Sequence, residues 1–150
     1  MDSLDGMGVD LPISSQLPGI FSLDHLQPQQ VKSIPPIALA YIGDAVFELY
    51  VRMQLLWPPQ RIQLFHQQVV GQVKAEQQAI YLEELTPHLN DTEADIVRRG
   101  RNATSKSPRR LSAKIYRQAT AFETLVGYLY VTNQPRLCEL LSKLDVKSAT

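Results

Sequence analysis

Two carboxylates in this chain stand where an ordinary helical core has none. Asp44 lies in Ala40-Tyr41-Ile42-Gly43-Asp44-Ala45-Val46-Phe47 and Glu123 in Ala119-Thr120-Ala121-Phe122-Glu123-Thr124-Leu125-Val126-Gly127, each the one charged group of an apolar stretch. Neither has a Lys or Arg three or four residues away, so pairing along a helix does not account for them. Glu48 does have such a partner in Arg52 and is read as a surface ion pair. Gly43 directly precedes Asp44 and Gly127 follows Glu123 by one turn. A glycine inside a helix costs about 1 kcal/mol relative to alanine, and close approach of another helix is the reason this sequence offers. If the two helices cross near the glycines, Asp44 and Glu123 point into one space. Ionised carboxylates brought together repel and need a shared proton or a cation. A small set of hard oxygen donors suits Mg²⁺, which keeps several waters and bridges to phosphate. The plainer alternative, each carboxylate facing solvent on its own, stays open on the residues alone.

The second feature is a charge block. Between Ile96 and Phe122 there are eight cations (Arg98, Arg99, Arg101, Lys106, Arg109, Arg110, Lys114 and Arg117) and no Asp or Glu. The chain is formally neutral, with 15 basic and 15 acidic residues, so the remainder is acidic to the same degree. Solvated helix faces usually mix signs for pairing one turn apart, and this stretch does not; it reads as a site for a polyanion. Other chemistry finds less support. His25, His66 and His88 lack metal-ligand spacing, and Ser105 and Ser107 have no neighbouring base. Cys138 is expected to pack on the apolar side of the last helix, and Tyr81, Tyr128 and Tyr130 to sit in the core. No glycine-rich phosphate loop exists, which argues against a nucleotide cofactor.

These residues need helices to position them. Residues 1–30 hold scattered Gly, Pro and Asp without a helical period and are expected to form a loosely ordered arm. Ser33 is expected to cap a helix with Pro35 and Pro36 in its first turn, running Ile37–Leu56 to the stop at Pro58 and Pro59. A second helix is expected over Ile62–Leu85, ended by Pro87, and a third, capped by Thr92 with Asp95, as far as Arg99, with Gly100 and Asn102 at its exit. Thr104–Pro108 reads as a loop inside the basic block. Ser112 then caps a helix to Val131, with Ile115, Ala119, Phe122, Val126 and Leu129 on one buried face, and a last helix spans Pro135–Leu144. With 150 residues, 44% of them hydrophobic, and no recognisable strand, the expectation is one all-α bundle. No apolar run approaches the 18 or more residues of a membrane span, one cysteine makes no internal disulfide, and no leader pattern appears, so a cytoplasmic protein is expected.

Three motifs in order, Ile37-Ala38-Leu39-Ala40-Tyr41-Ile42-Gly43-Asp44-Ala45-Val46-Phe47-Glu48, Arg99-Gly100-Arg101-Asn102-Ala103, and Thr120 through Leu129, resemble Mini-ribonuclease III, the compact branch of the ribonuclease III family. The resemblance spans about Ile34 to Leu144. It implies an all-helical endonuclease domain over residues 31–150 that forms a homodimer, cleaves double-stranded RNA with Mg²⁺, and matures the large-subunit (23S) ribosomal RNA precursor. It assigns catalysis and metal binding to Asp44 and Glu123. Larger members carry further acidic residues where this chain has Ala40 and Thr120, which leaves Thr120 to act through a metal-bound water. RNA contacts would come from Arg99, Arg101, Asn102, Lys106, Arg109, Arg110 and Lys114, with no appended double-stranded-RNA-binding domain. A non-catalytic RNA-binding or ribosome-assembly module on the same fold is the competing class, and a helical protein-interaction domain the third.

Overall fold

The computed structural model describes residues 22–104, 108–109 and 111–146. Its described elements are helices α1 (Pro28–Lys32), α2 (Pro36–Gln54), α3 (Ile62–Val73), α4 (Ala75–Leu85), a 3₁₀ turn (Thr86–His88), α5 (Asp91–Asn102), α6 (Ala113–Thr132) and α7 (Gln134–Leu141), with no strand among the described residues. The bundle is built around α6. It packs against α2, α4, α5 and α7. Ala119, Phe122, Val126 and Leu129 of the expected stripe are buried, and Ile115 is half-buried. The middle of the core is aromatic: Phe47 of α2 meets Phe122 edge-on at 4.8 Å between ring centroids and Tyr81 of α4 at 5.9 Å. Each such ring contributes about 1.5–3 kcal/mol by burial, so this cluster fixes how three helices meet.

Several boundaries differ from the sequence reading, each for a local reason. Residues 62–85 form two helices, because Lys74 adopts an extended conformation (ψ 155°) and ends α3 while starting α4. One straight helix of that span would be about 36 Å long, overrunning the roughly 30 Å of α6. The break folds the chain back so that Val69 on α3 and Tyr81, Leu82 and Leu85 on α4 all reach the core. Ser33 does not cap α2. It follows α1, where its hydroxyl donates to the Gln30 carbonyl at 2.7 Å, and Pro35 stands at the start of α2. That α1 begins inside the expected N-terminal arm; residues 1–21 of the arm lie outside the described residues.

The cap of α5 is Asn90 rather than Thr92. Asn90 Oδ1 accepts from the Glu93 N–H at 2.8 Å and Glu93 Oε1 from the Asn90 N–H at 3.0 Å, a reciprocal capping box two residues upstream of the expected one. Glu93, 2% exposed, also takes the Arg136 guanidinium on both carboxylate oxygens at 2.9 Å, and Arg136 donates to the His88 carbonyl at 2.7 Å. This ion pair holds Glu93 below its ordinary value, chiefly through the hydrogen bonds from Arg136, and ties α7 to the start of α5. α5 continues through Gly100 to Asn102. The last helix ends at Leu141, and its buried face is Leu137, Leu140 and Leu141, which leaves Cys138 exposed rather than packed. Tyr81 is buried as expected; Tyr128 and Tyr130 are half-buried.

Candidate active site

Positioning begins with two glycines. A Cβ on Gly43 would land inside contact distance of the Glu123 carbonyl group, 2.7 Å from its carbon and 2.9 Å from the Gly127 nitrogen. A Cβ on Gly127 would strike the Leu39 carbonyl, 2.8 Å from its carbon. The missing side chains let α2 and α6 touch backbone to backbone, as the paired glycines imply. Gly100 has the same role on α5, since a Cβ there would lie 2.7 Å from Thr124 Cβ and 3.1 Å from Ala121 Cα. Sequence reasoning took Gly100 for a helix exit. Its position between Arg99 and Arg101, inside a capped helix, was the available sign of a packing role.

At the α2–α6 crossing Asp44 and Glu123 come together. Asp44 is exposed and Glu123 half-buried. Burial, then the charge of Asp44 and a hydrogen bond with it, push the Glu123 carboxyl up to about 8. Neither carboxylate has a Lys or Arg partner within ion-pair distance among the described residues. Glu48 does: Arg52 holds it at 3.4 Å. A carboxyl pair that keeps a proton at neutral pH for want of a neighbouring cation fits a divalent ion, which replaces that proton. Among the described residues no group of three or more His, Cys, Asp or Glu could hold a metal. Ala40 and Thr120, one turn before Asp44 and Glu123, are 6% and 5% exposed.

The cations do not form one patch. Arg101 and Lys114 line a cleft of about 640 Å³ against α4, facing Glu76 and Glu83. Arg99, about 200° from Arg101 around α5, turns away into a different cleft. Lys114 itself is about 180° around α6 from Glu123. Arg98 pairs with Asp95 at 2.6 Å, whereas Asn102 and Arg109 are exposed. Lys106 and Arg110 lie outside the described residues.

The ribonuclease III domain pattern matches residues 37–134, a span that contains both carboxylates and all three glycines. The chain belongs to the ribonuclease III family. It is similar to the Mini-ribonuclease 3 of Thermosynechococcus vestitus, 53% identical over 79% of this chain and 80% of that one, and to that of Synechocystis sp., 51% identical over 85% and 90%. The Mini-ribonuclease 3 of Clostridium tetani is 37% identical over 79% of this chain and 80% of its own. A solved structure from Fusobacterium nucleatum shares the fold, with a TM-score of 0.69 at 24% identity over 73% of this chain and 92% of that one. As a member of the ribonuclease III family in its Mini-ribonuclease branch, the chain is an endoribonuclease. No helix among the described residues is long and apolar enough to cross a membrane.

Proposed function

We propose that this chain is a Mg²⁺-dependent endonuclease that cuts double-stranded RNA as a cytoplasmic homodimer and matures the large-subunit (23S) ribosomal RNA precursor. The meeting of Asp44 and Glu123 at a backbone-to-backbone helix crossing carries the reading. Asp44 and Glu123 would hold the ion, Glu123 giving up its proton as the ion arrives, and Thr120 would hold one of its waters through the hydroxyl. When bound, Mg²⁺ supplies water activation and stabilises charge on the phosphate. Two protein carboxylates leave most of its coordination to water and substrate oxygens, the arrangement Mg²⁺ favours. Arg101, Asn102, Arg109 and Lys114, with Lys106 and Arg110 of the intervening loop, would grip flanking phosphates, reading A-form shape rather than bases.

The homodimer rests on an exposed apolar face. Ile42, Leu49 and Met53 recur at the spacing of one helix side and are 41%, 60% and 63% exposed. Ile42 and Leu49 also border a groove of about 370 Å³ with Leu23, Val46 and Tyr130. This exposed apolar stripe supports an interface, and a two-fold axis would set the same stripe of each copy against the other.

The test is cleavage of end-labelled double-stranded RNA with and without Mg²⁺ by wild type, Asp44→Asn and Glu123→Gln, each checked for folding. Metal-dependent cutting abolished by both substitutions is expected. RNA bound but left whole by the wild type under varied metal and salt would replace this reading with that of a non-catalytic binding module.

A further inference from the structure

We propose that the cleft enclosed by α1, the first turns of α2, α5 and α6 is a second ligand site that binds a phosphate-type oxyanion, separate from the Asp44–Glu123 pair. The cleft has a volume of about 230 Å³, and its lining includes Lys32, Thr92, Arg99 and Tyr128 above the apolar side chains of Leu39 and Ile96. Four of the lining side chains can donate: an ammonium, a guanidinium and two hydroxyls. None of them makes a side-chain hydrogen bond or ion pair among the described residues. Arg99 is half-buried and makes no ion pair among the described residues. One carboxylate, Asp95, lines the same cleft and pairs with Arg98 at 2.6 Å, so the cations around the cleft outnumber it. What the cleft lacks is an anion with several acceptor oxygens. A planar guanidinium beside an ammonium suits a phosphate group, with the guanidinium offering two parallel donors. The apolar floor leaves room for the sugar or base attached to it.

The cleft is distinct from both sites described above. Tyr128 lies about 140° around α6 from Glu123, and Leu39 the same angle around α2 from Asp44, so the opening is on another side of the crossing. Arg101, on the far side of α5, faces α4 instead.

The oxyanion has two sources, a phosphodiester of an RNA backbone or the phosphate of a free mononucleotide, and one experiment separates them. The full chain, kept in chelator so that no RNA is cut, is titrated calorimetrically with inorganic phosphate, adenosine 5′-monophosphate and a short RNA duplex. Wild type, Arg99→Gln and Arg99→Lys are compared, with thermal melts to confirm folding. Affinity for at least one phosphate ligand is expected to fall tenfold or more in Arg99→Gln and to return in part in Arg99→Lys. Loss confined to the duplex names the phosphodiester as ligand; loss with the mononucleotide names the free nucleotide. Lys32→Gln, at the exposed rim, gives the same readout at about threefold should Arg99→Gln fold poorly. Binding of all three ligands that is indifferent to both residues, or no binding by wild type, overturns the proposal. Cleavage is not read, so the outcome is independent of whether the chain cuts RNA.

Discussion

Replacing Gly43 by alanine adds one methyl group at the point where α2 and α6 touch. Both neighbours it meets, the Glu123 carbonyl and the Gly127 nitrogen, are backbone atoms and cannot rotate away. The nearest carbon and nitrogen would lie at 2.7 and 2.9 Å, below the 3.0 Å that real Cβ contacts respect, with the carbonyl oxygen closer still. The helices must therefore separate, loosening Phe47 against Phe122. Overpacking of this kind costs about 3 kcal/mol or slightly more, at the upper end of its usual range. Alanine returns about 1 kcal/mol of helix propensity. The net loss is about 2 kcal/mol, or roughly 4–8 °C of melting temperature for a chain this size. The assay is a far-ultraviolet circular dichroism melt in chelator, paired with RNA cleavage, which should fall as the two carboxylates move apart. Gly71→Ala on α3 is the control, because a Cβ there meets nothing within 4 Å and should leave the melt unchanged or raised. If Gly43→Ala melted at or above the wild type beside that control, the backbone crossing, and the site built on it, would be wrong.

Three further outcomes follow from the same structure. In metal-free protein the folded state keeps the Glu123 proton to about pH 8, whereas the unfolded chain releases it near the ordinary 4.5. The folded state then binds more protons across that window, so stability declines as pH rises through it, on the order of a few kcal/mol; chelated melts at pH 5.5 and 8.5 check this, and Glu123→Gln should flatten the trend. Arg136→Ala strands a buried Glu93 carboxylate and is expected to cost about 3–5 kcal/mol, read as the midpoint of denaturant unfolding; a loss near that of an exposed pair would show that water reaches Glu93. Leu49→Glu places charge in the exposed α2 stripe and should convert the proposed dimer to folded monomer in sedimentation equilibrium; a variant as dimeric as the wild type would exclude this face as the interface.

The α2–α6 crossing was visible in the sequence because it depends on local contrast. A glycine within one turn of a lone carboxylate, repeated on two helices, marks both the crossing and the carboxylates that meet there. The failures have a different origin. Near Lys74 the sequence offers only Gly71, which weakens a helix without ending it, and the break lets α3 and α4 both reach the core. Asn90 and Glu93 satisfy the capping rule as well as Thr92 and Asp95 did, but the choice is made by Arg136, 43 residues away. The cations were counted along the chain, whereas α5 divides Arg99 from Arg101 by half a turn of helix. Cys138 was assigned by its apolar neighbours, although its angle on α7 turns it outward.

The contact at Gly43 and Gly127 also governs how the molecule moves. At this point backbone rests on backbone, with no side chain between that could change rotamer, so a tilt of α6 against α2 would pivot there. A tilt of about 5° would swing the ends of the roughly 30 Å α6 by about 1 Å while displacing groups at the pivot far less. Asp44 and Glu123 sit at the pivot, and Lys114 at the far end. Such a tilt would move the Lys114 end while changing the spacing of the two carboxylates far less.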